Sequence, residues 1–210
     1  MNILGVVMID QNKQYPIVEH FYTLQGEAAY AGHAAYFIRL GGCNVGCVWC
    51  DVKESWEAEQ HPLMTVAEMV ALVKNAGAPI VVITGGEPTL HDLEPITSAF
   101  HEIGVRCHME TAATNPISGE WDWITISPKK FKAPLPENLA LAHELKAIIY
   151  HKSDFAWVEQ FVPMLNSKCR LYLQTEWSKR NEMTPLIIDY IKAHPTFHLS
   201  MQTHKYINIP

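Results

Sequence analysis

An α/β fold built on parallel strands follows from three features of the sequence. Short β-rich runs alternate with segments of helical period, the pattern of repeated βαβ units. One run, IVVIT at 80–84, is almost continuously apolar, as a strand covered on both faces must be. The residues that follow the runs are polar or glycine-rich time after time, in GGC, TGGEP, ETAAT, SPKK, QTEW and QTHKY. Parallel sheets place their chemistry beyond the C-terminal ends of the strands. Six or seven strands leave two architectures, an open doubly wound sheet or a barrel short of closure.

The strands are expected at 34–41 (AAYFIRLG), 79–85 (PIVVITG), 104–111 (GVRCHMET), 122–127 (DWITIS), 144–150 (ELKAIIY), 169–174 (CRLYLQ) and 197–202 (FHLSMQ). Helices are expected between them at 65–77, 92–104, 154–166 and 184–195. Thr65 and Glu68 have the spacing of an N-terminal capping box, and Gly77 and Gly104 stand where helices stop. No internal repeat, low-complexity tract or long linker interrupts the series.

At 210 residues the chain suits one domain spanning 1–210. Hydrophobic residues make up 48% and charged residues 18%, a globular balance. The net charge is −6, and the one basic run is PKKFK at 128–132. A protein that grips a polynucleotide carries a larger basic surface, so a small-molecule partner is favoured over nucleic acid. No apolar stretch approaches the roughly 20 residues that span a bilayer. The opening MNILGVVMID is too short to serve as a secretory signal. Five cysteines, three of them crowded together, make a poor disulfide framework, and a reducing cytoplasm fits best. Cys107 and Cys169 lie among apolar neighbours and are expected to be small core residues.

The crowded three are Cys43, Cys47 and Cys50, in GGCNVGCVWCD at 41–51. As zinc ligands they would need a distant fourth, and the paired C-x2-C layout is absent. As a redox pair, Cys47 and Cys50 would leave Cys43 unexplained. As an iron–sulfur site they would hold three corners of a 4Fe-4S cluster and leave one iron open. This C-x3-C-x2-C, with Trp49 before the last cysteine, resembles the signature of radical S-adenosylmethionine enzymes. The resemblance implies a cluster on Cys43, Cys47 and Cys50 whose open iron binds S-adenosylmethionine, with Trp49 near the adenine. TGGEP at 84–88 resembles the superfamily's cofactor-binding segment, making Gly86 and Glu87 cofactor contacts. Its glycines would admit a ligand to the backbone, and Glu87 would accept from an ammonium group.

Along nearly the whole chain, from EHFYTLQGE (19–27) through FIRLGGC, TGGEP, SPK and ELK to LSMQTHKYINIP (199–210), the sequence resembles the 7-carboxy-7-deazaguanine synthases. That implies an incomplete (β/α) barrel of about six parallel strands. It also implies a lyase of queuosine biosynthesis that contracts the ring of 6-carboxy-5,6,7,8-tetrahydropterin with loss of ammonia. The radical that begins the reaction would come from S-adenosylmethionine, and the cofactor would be regenerated. Matching motifs make Leu24, Gln25, Gly26, Arg39 and Thr84 substrate contacts, with the Arg39 guanidinium suited to the planar carboxylate. Glu110 in METAAT would either hold the pterin's guanidine-like edge as a further substrate contact or form a structural pair at its strand end. Pro210 would reach the substrate as well, and the apolar KYINIP would pack into the barrel mouth. Ser127, Pro128, Lys129, Gln174, Thr175, Glu176 and Trp177 would meet the cofactor. A flavodoxin-type electron donor and a homodimer are implied too.

Two positions depart from the family. Ala28 replaces the second glycine of QGEG. Val52 stands where a hydroxyl is expected to bind Mg²⁺, and valine cannot ligate a hard cation. Mg²⁺ is therefore expected to be dispensable, or held with help from Asp51 or substrate oxygens. Two alternatives remain, a glycyl-radical activase and a zinc-binding interaction module. The eleven histidines, His204 included, show no ligand pairing and are expected to serve packing or solvent.

Overall fold

The structure, a computed structural model, describes residues 10–210. All but the last residue of the opening MNILGVVMID, and with them the question of a leader, lie outside the described residues. The chain runs β1 (Gln14–Leu24), β2 (Ala34–Leu40), β3 (Leu63–Thr65), α1 (Val66–Ala76), β4 (Ile80–Gly85), α2 (Glu94–Glu102), β5 (Arg106–Thr111), β6 (Trp123–Ile126) and α3 (Pro136–Leu139). It continues through β7 (Glu144–Ile149), α4 (Ser153–Glu159), β8 (Arg170–Thr175), α5 (Arg180–Ala193), β9 (Phe197–Ser200) and α6 (Thr203–Ile207).

Among the described residues nine strands join one open sheet in the order β3-β1-β2-β4-β5-β6-β7-β8-β9. From β2 to β9 every pairing is parallel, which gives seven parallel strands and a barrel that does not close. The two strands the sequence does not announce, β1 and β3, extend this sheet in antiparallel pairings. An irregularity between Ile17 and Glu19 shifts the register of β1, and Pro16 lies beside it. Together they blur the alternation that would otherwise mark an eleven-residue strand.

Period-two alternation sorts the parallel strands into two faces. Ile38, Val81, Ile83, Cys107, Met109, Ile124, Ile126, Leu145, Ala147, Leu171 and Leu173 join one core with Met69 and Val73 of α1, Ile96 and Phe100 of α2, and Met183 and Ile187 of α5. The α1 capping box between Thr65 and Glu68 is present, and Gly77 ends that helix at φ 65°. The opposite, concave face is divided in height. Near the strand N-termini, Tyr30 plugs it edge-on to His108 (centroids 4.4 Å apart) and Trp123 (5.0 Å), beside Ala35, Phe37, Ile80 and Val82. Toward the C-termini the same face carries Arg39, Thr84, Glu110, Lys146 and Gln174, all open to a cavity.

Three expected elements are adjusted. The 154–166 helix stops at Glu159, and a separate short turn holds Val162–Met164, where Pro163 has no N–H to continue the ladder. Helix α5 begins a turn before 184 and carries Pro185 inside it. The tail does not bury its apolar residues as expected, because α6 turns His204 and Lys205 toward the cavity. Tyr206 and Ile207 are left 54% and 57% exposed.

Candidate active site

The cavity at the C-terminal strand ends measures about 410 Å³, within the range of small-molecule sites. Its cysteine wall is the loop after β2. Gly42 (φ 102°) and Gly46 (φ 72°) supply left-handed turns that side chains disfavour, and Cys43, Cys47, Trp49 and Cys50 line the space between. Val45, Cys47 and Ala112 form a small apolar nucleus against which Cys43, Trp49 and Cys50 pack. Burial pushes the Cys47 thiol up to about 11; Lys129 opposes this, while the adjoining Cys50 and Cys43 add to it. Deprotonation there therefore needs a metal to drive it.

The three thiols are not gathered at single-ion spacing. Among the described residues, the one trio of His, Cys, Asp or Glu ligand atoms lying within 4.8 Å of one another is His101, Cys107 and Asp122. A lone zinc ion would draw thiolates to about 3.8 Å apart, given Zn–S bonds of about 2.3 Å in a tetrahedron. The His101–Cys107–Asp122 trio is closed by its own hydrogen bonds, since Asp122 Oδ2 accepts from the Cys107 N–H (2.7 Å) and lies 2.9 Å from His101 Nε2. Cys107 is fully buried and Cys169 half-buried at the edge of the core.

The TGGEP loop after β4 is locked to the cysteine loop. Gly86 N–H donates to Leu40 O (3.0 Å) and Glu87 N–H to Gly42 O (2.8 Å). A Cβ on Gly86 would stand 2.3 Å from Gly42 O and 2.7 Å from Cys43 Cβ. The glycine thus admits the neighbouring loop first and any ligand second. Gly86 and Thr84 line the cavity, but Glu87 does not. Glu87 is 1% exposed, and its carboxylate accepts from Thr89 N–H (3.1 Å), Thr89 Oγ1 (2.7 Å), Thr111 Oγ1 and Ala112 N–H (2.8 Å). Four protein donors hold it away from the cavity in which the expected contact with an ammonium group would be made.

On the facing wall, Ser127 and Lys129 line the cavity while Pro128 is buried behind them and does not. Lys129 Nζ donates to Ser127 O (2.9 Å) and lies 5.8 Å from the Trp49 ring centroid. Burial lowers its pKa despite the Cys47 thiol beside it. Gln174, Thr175, Glu176 and Trp177 complete that side.

The substrate side is polar. Leu24, Gln25, Gly26, Arg39, Glu110 and Pro210 all line it. Arg39 Nε donates to Glu19 (2.7 Å), which orients the guanidinium and leaves its two terminal nitrogens for a ligand. Lys146, 3% exposed, bridges Glu27 and Glu110 (2.8 Å to the latter). Burial alone would raise Glu27, but the Lys146 ammonium and hydrogen bonds from Lys146 and Gln202 hold its carboxyl well below the usual range. Those two carboxylates in turn raise Lys146 against the effect of its burial. Gln25 Nε2 donates to Glu110 (2.8 Å), and Gln174 and Gln202 each donate to Glu27 (3.0 Å).

Glu27, Lys146, Gln202 and Lys205 line the cavity without having been given a role from the sequence, and so does His204, which was expected to serve packing or solvent. A lysine in the middle of the apolar run ELKAII was a usable signal, because a buried ammonium needs partners. His204 gave no such signal; its ring packs so tightly on Gly26 that a Cβ there would lie 2.2 Å from Nδ1.

A sequence model of the radical SAM superfamily matches residues 37–131. The chain is 46% identical to the 7-carboxy-7-deazaguanine synthase of Flavobacterium psychrophilum, over 97% of both chains. It is 47% identical to that of Synechocystis sp., over 93% of both. Among solved structures, QueE from Escherichia coli superposes with a TM-score of 0.81 at 33% identity, covering 91% of this chain and 95% of that one. With this fold, this cysteine loop and full-length kinship to named members, the chain belongs to the 7-carboxy-7-deazaguanine synthases, within the radical S-adenosylmethionine superfamily.

Proposed function

We propose that the chain, acting as one domain, converts 6-carboxy-5,6,7,8-tetrahydropterin to 7-carboxy-7-deazaguanine with loss of ammonia, as a lyase of queuosine biosynthesis. The observation that carries this reading is a single cavity lined both by the three loop thiols and by the Arg39, Gln25, Glu110, Lys146 and Glu27 constellation. Cys43, Cys47 and Cys50 would hold a 4Fe-4S cluster. When bound, such a cluster would supply the electron for reductive cleavage of S-adenosylmethionine. Trp49, Gly86, Ser127, Lys129 and the 174–177 segment hold the cofactor. Pro128 sets the turn between Ser127 and Lys129, and Glu87 acts from behind the loop.

The Arg39 fork receives the substrate carboxylate in a planar geometry that a lysine cannot reproduce. Glu110 and Glu27 accept from the N–H groups of the guanidine-like edge, with Lys146 holding both carboxylates in place. Leu24, Gln25, Gly26 and Thr84 frame the ring, and the tail from Thr203 to Pro210 covers it. Thr203 N–H fastens that cover to Gly26 O at 2.9 Å.

A divalent cation does not fit the residues beside the cysteine loop. Val52 lines the cavity with no oxygen on its side chain, and the Ser55 hydroxyl donates to Val52 O (2.7 Å). The Asp51 carboxylate is paired with Lys205 at 3.2 Å. We propose turnover without Mg²⁺; addition of a chelator should leave the rate within twofold, and a strict Mg²⁺ requirement would refute this. A flavodoxin-type electron donor, a homodimer and a cytoplasmic setting belong to the same reading. Among the described residues no helix is long and apolar enough to cross a membrane.

The test is anaerobic reconstitution, then incubation with a reductant, S-adenosylmethionine and the carboxylated pterin. About four irons and four sulfides per chain, and formation of 7-carboxy-7-deazaguanine, are expected. Stoichiometric zinc with no product would overturn the proposal.

A further inference from the structure

The carboxylate of Glu87 is buried without touching the cavity, and its hydrogen bonds lead toward the cysteine loop by two routes. On one, Glu87 accepts from the N–H of Ala112 (2.8 Å), and Ala112 packs in the apolar nucleus with Cys47. On the other, Glu87 accepts from Thr89 Oγ1, which accepts from Asn115 Nδ2 (3.3 Å). Asn115 Oδ1 then accepts from Asn44 Nδ2 (3.2 Å), and Asn44 lies between Cys43 and Cys47. Asn44 Oδ1 is held by Thr114 Oγ1 (3.1 Å). Every group facing the carboxylate is a donor, so it is an acceptor that an amide cannot replace without setting two donors against each other.

We infer that Glu87 is a positioning residue for the cysteine loop, fixing Asn44 and the wall behind Cys47 through this relay, and that its charge lowers the reduction potential of the metal group the cysteines hold. The inference rests on the cluster assignment proposed above. A nearby negative charge disfavours adding an electron, and hydrogen bonding and charge around a cluster are what set its potential. The side chain therefore acts on the cofactor at second hand, while the backbone of the same segment faces the cavity.

The test is a redox titration of the reconstituted protein, followed by the electron paramagnetic resonance of the reduced cluster without cofactor or substrate. Glu87→Gln should move the midpoint potential upward and split the signal into more than one species, at unchanged iron content. Its affinity for S-adenosylmethionine should stay within threefold of the parent. A parental potential and spectrum combined with a tenfold or greater loss of S-adenosylmethionine affinity would overturn the inference and make the carboxylate a direct ligand. A variant indistinguishable from the parent in all three respects would overturn it equally. Asn115→Ala cuts the relay and leaves Glu87 in place, so it should split the signal while the potential stays parental. If Glu87→Gln fails to fold, an unsplit signal in Asn115→Ala overturns the inference. Absence of a four-iron cluster in the unaltered protein is a different result, since it removes the cluster assignment itself.

Discussion

Lys146 is the residue on which the cavity's charge balance turns. Two carboxylates converge on its buried ammonium, and removing one partner of such a group leaves charge without compensation. Lys146→Met should cost about 3–5 kcal/mol of stability, measured as a lowered urea midpoint, and should abolish turnover in whatever protein still folds. At Arg39 the effect should be on binding, because its Nε is taken by Glu19 and the proposed function gives its terminal nitrogens to the substrate. Arg39→Lys should raise KM about tenfold, equivalent to about 1.4 kcal/mol, with kcat within threefold. An unchanged KM would remove Arg39 from the substrate site. The cysteine triad and TGGEP stood out in the sequence as local patterns with their own chemistry, whereas Arg39 was singled out only through the family resemblance; the cysteines, Thr84, Gly86 and Arg39 all line the cavity. The Glu27–Lys146 pair was not, since its members stand 119 residues apart and meet only when β7 is placed opposite the loop after β1.

Among elements, the contact between the loops after β2 and β4 governs whether a cluster can form. Gly86→Ala drives a methyl group to 2.3 Å from Gly42 O, a separation that only backbone movement relieves. Iron content after reconstitution should fall by at least half, and the melting temperature should drop as well. Full iron incorporation would show the two loops to be looser than their hydrogen bonds indicate. The parallel strands were legible as apolar runs followed by polar ends, to within two residues of their observed limits. Strand β1 was missed for the physical reason that its bulge and proline break the period-two pattern. The 154–166 helix was drawn too long because Pro163 ends hydrogen bonding that hydrophobic spacing alone suggests will continue.

At the scale of the whole molecule, two buried groups with large shifts contribute to how the fold answers acid. Burial, with Arg106 adding, lowers His108 from the usual 6.5 to about 4, so the folded protein keeps it neutral where the unfolded chain binds a proton. That contribution to stability is present above about pH 6.5 and is lost as pH falls toward 4. It amounts to roughly 3 kcal/mol at most, at 1.36 kcal/mol per pKa unit. Glu27, held below the usual carboxylate range, contributes stability above about pH 4.3 that is lost at still lower pH. Unfolding free energy should therefore decline in two stages on acidification, and His108→Phe should flatten the first. A slope unaltered by that substitution would mean His108 is not the group responsible. Neither stage was foreseeable from composition, because a histidine's burial depends on which strand face it occupies and what plugs that face.

Tyr30 is that plug, and it comes from a three-residue turn, Ala28–Tyr30, outside the sheet that surrounds it. The lower end of the concave face is thus filled by one side chain from outside the sheet, while the strands around it keep their own spacing. Trimming that side chain would free space at the strand N-termini without disturbing a single rung of the ladder.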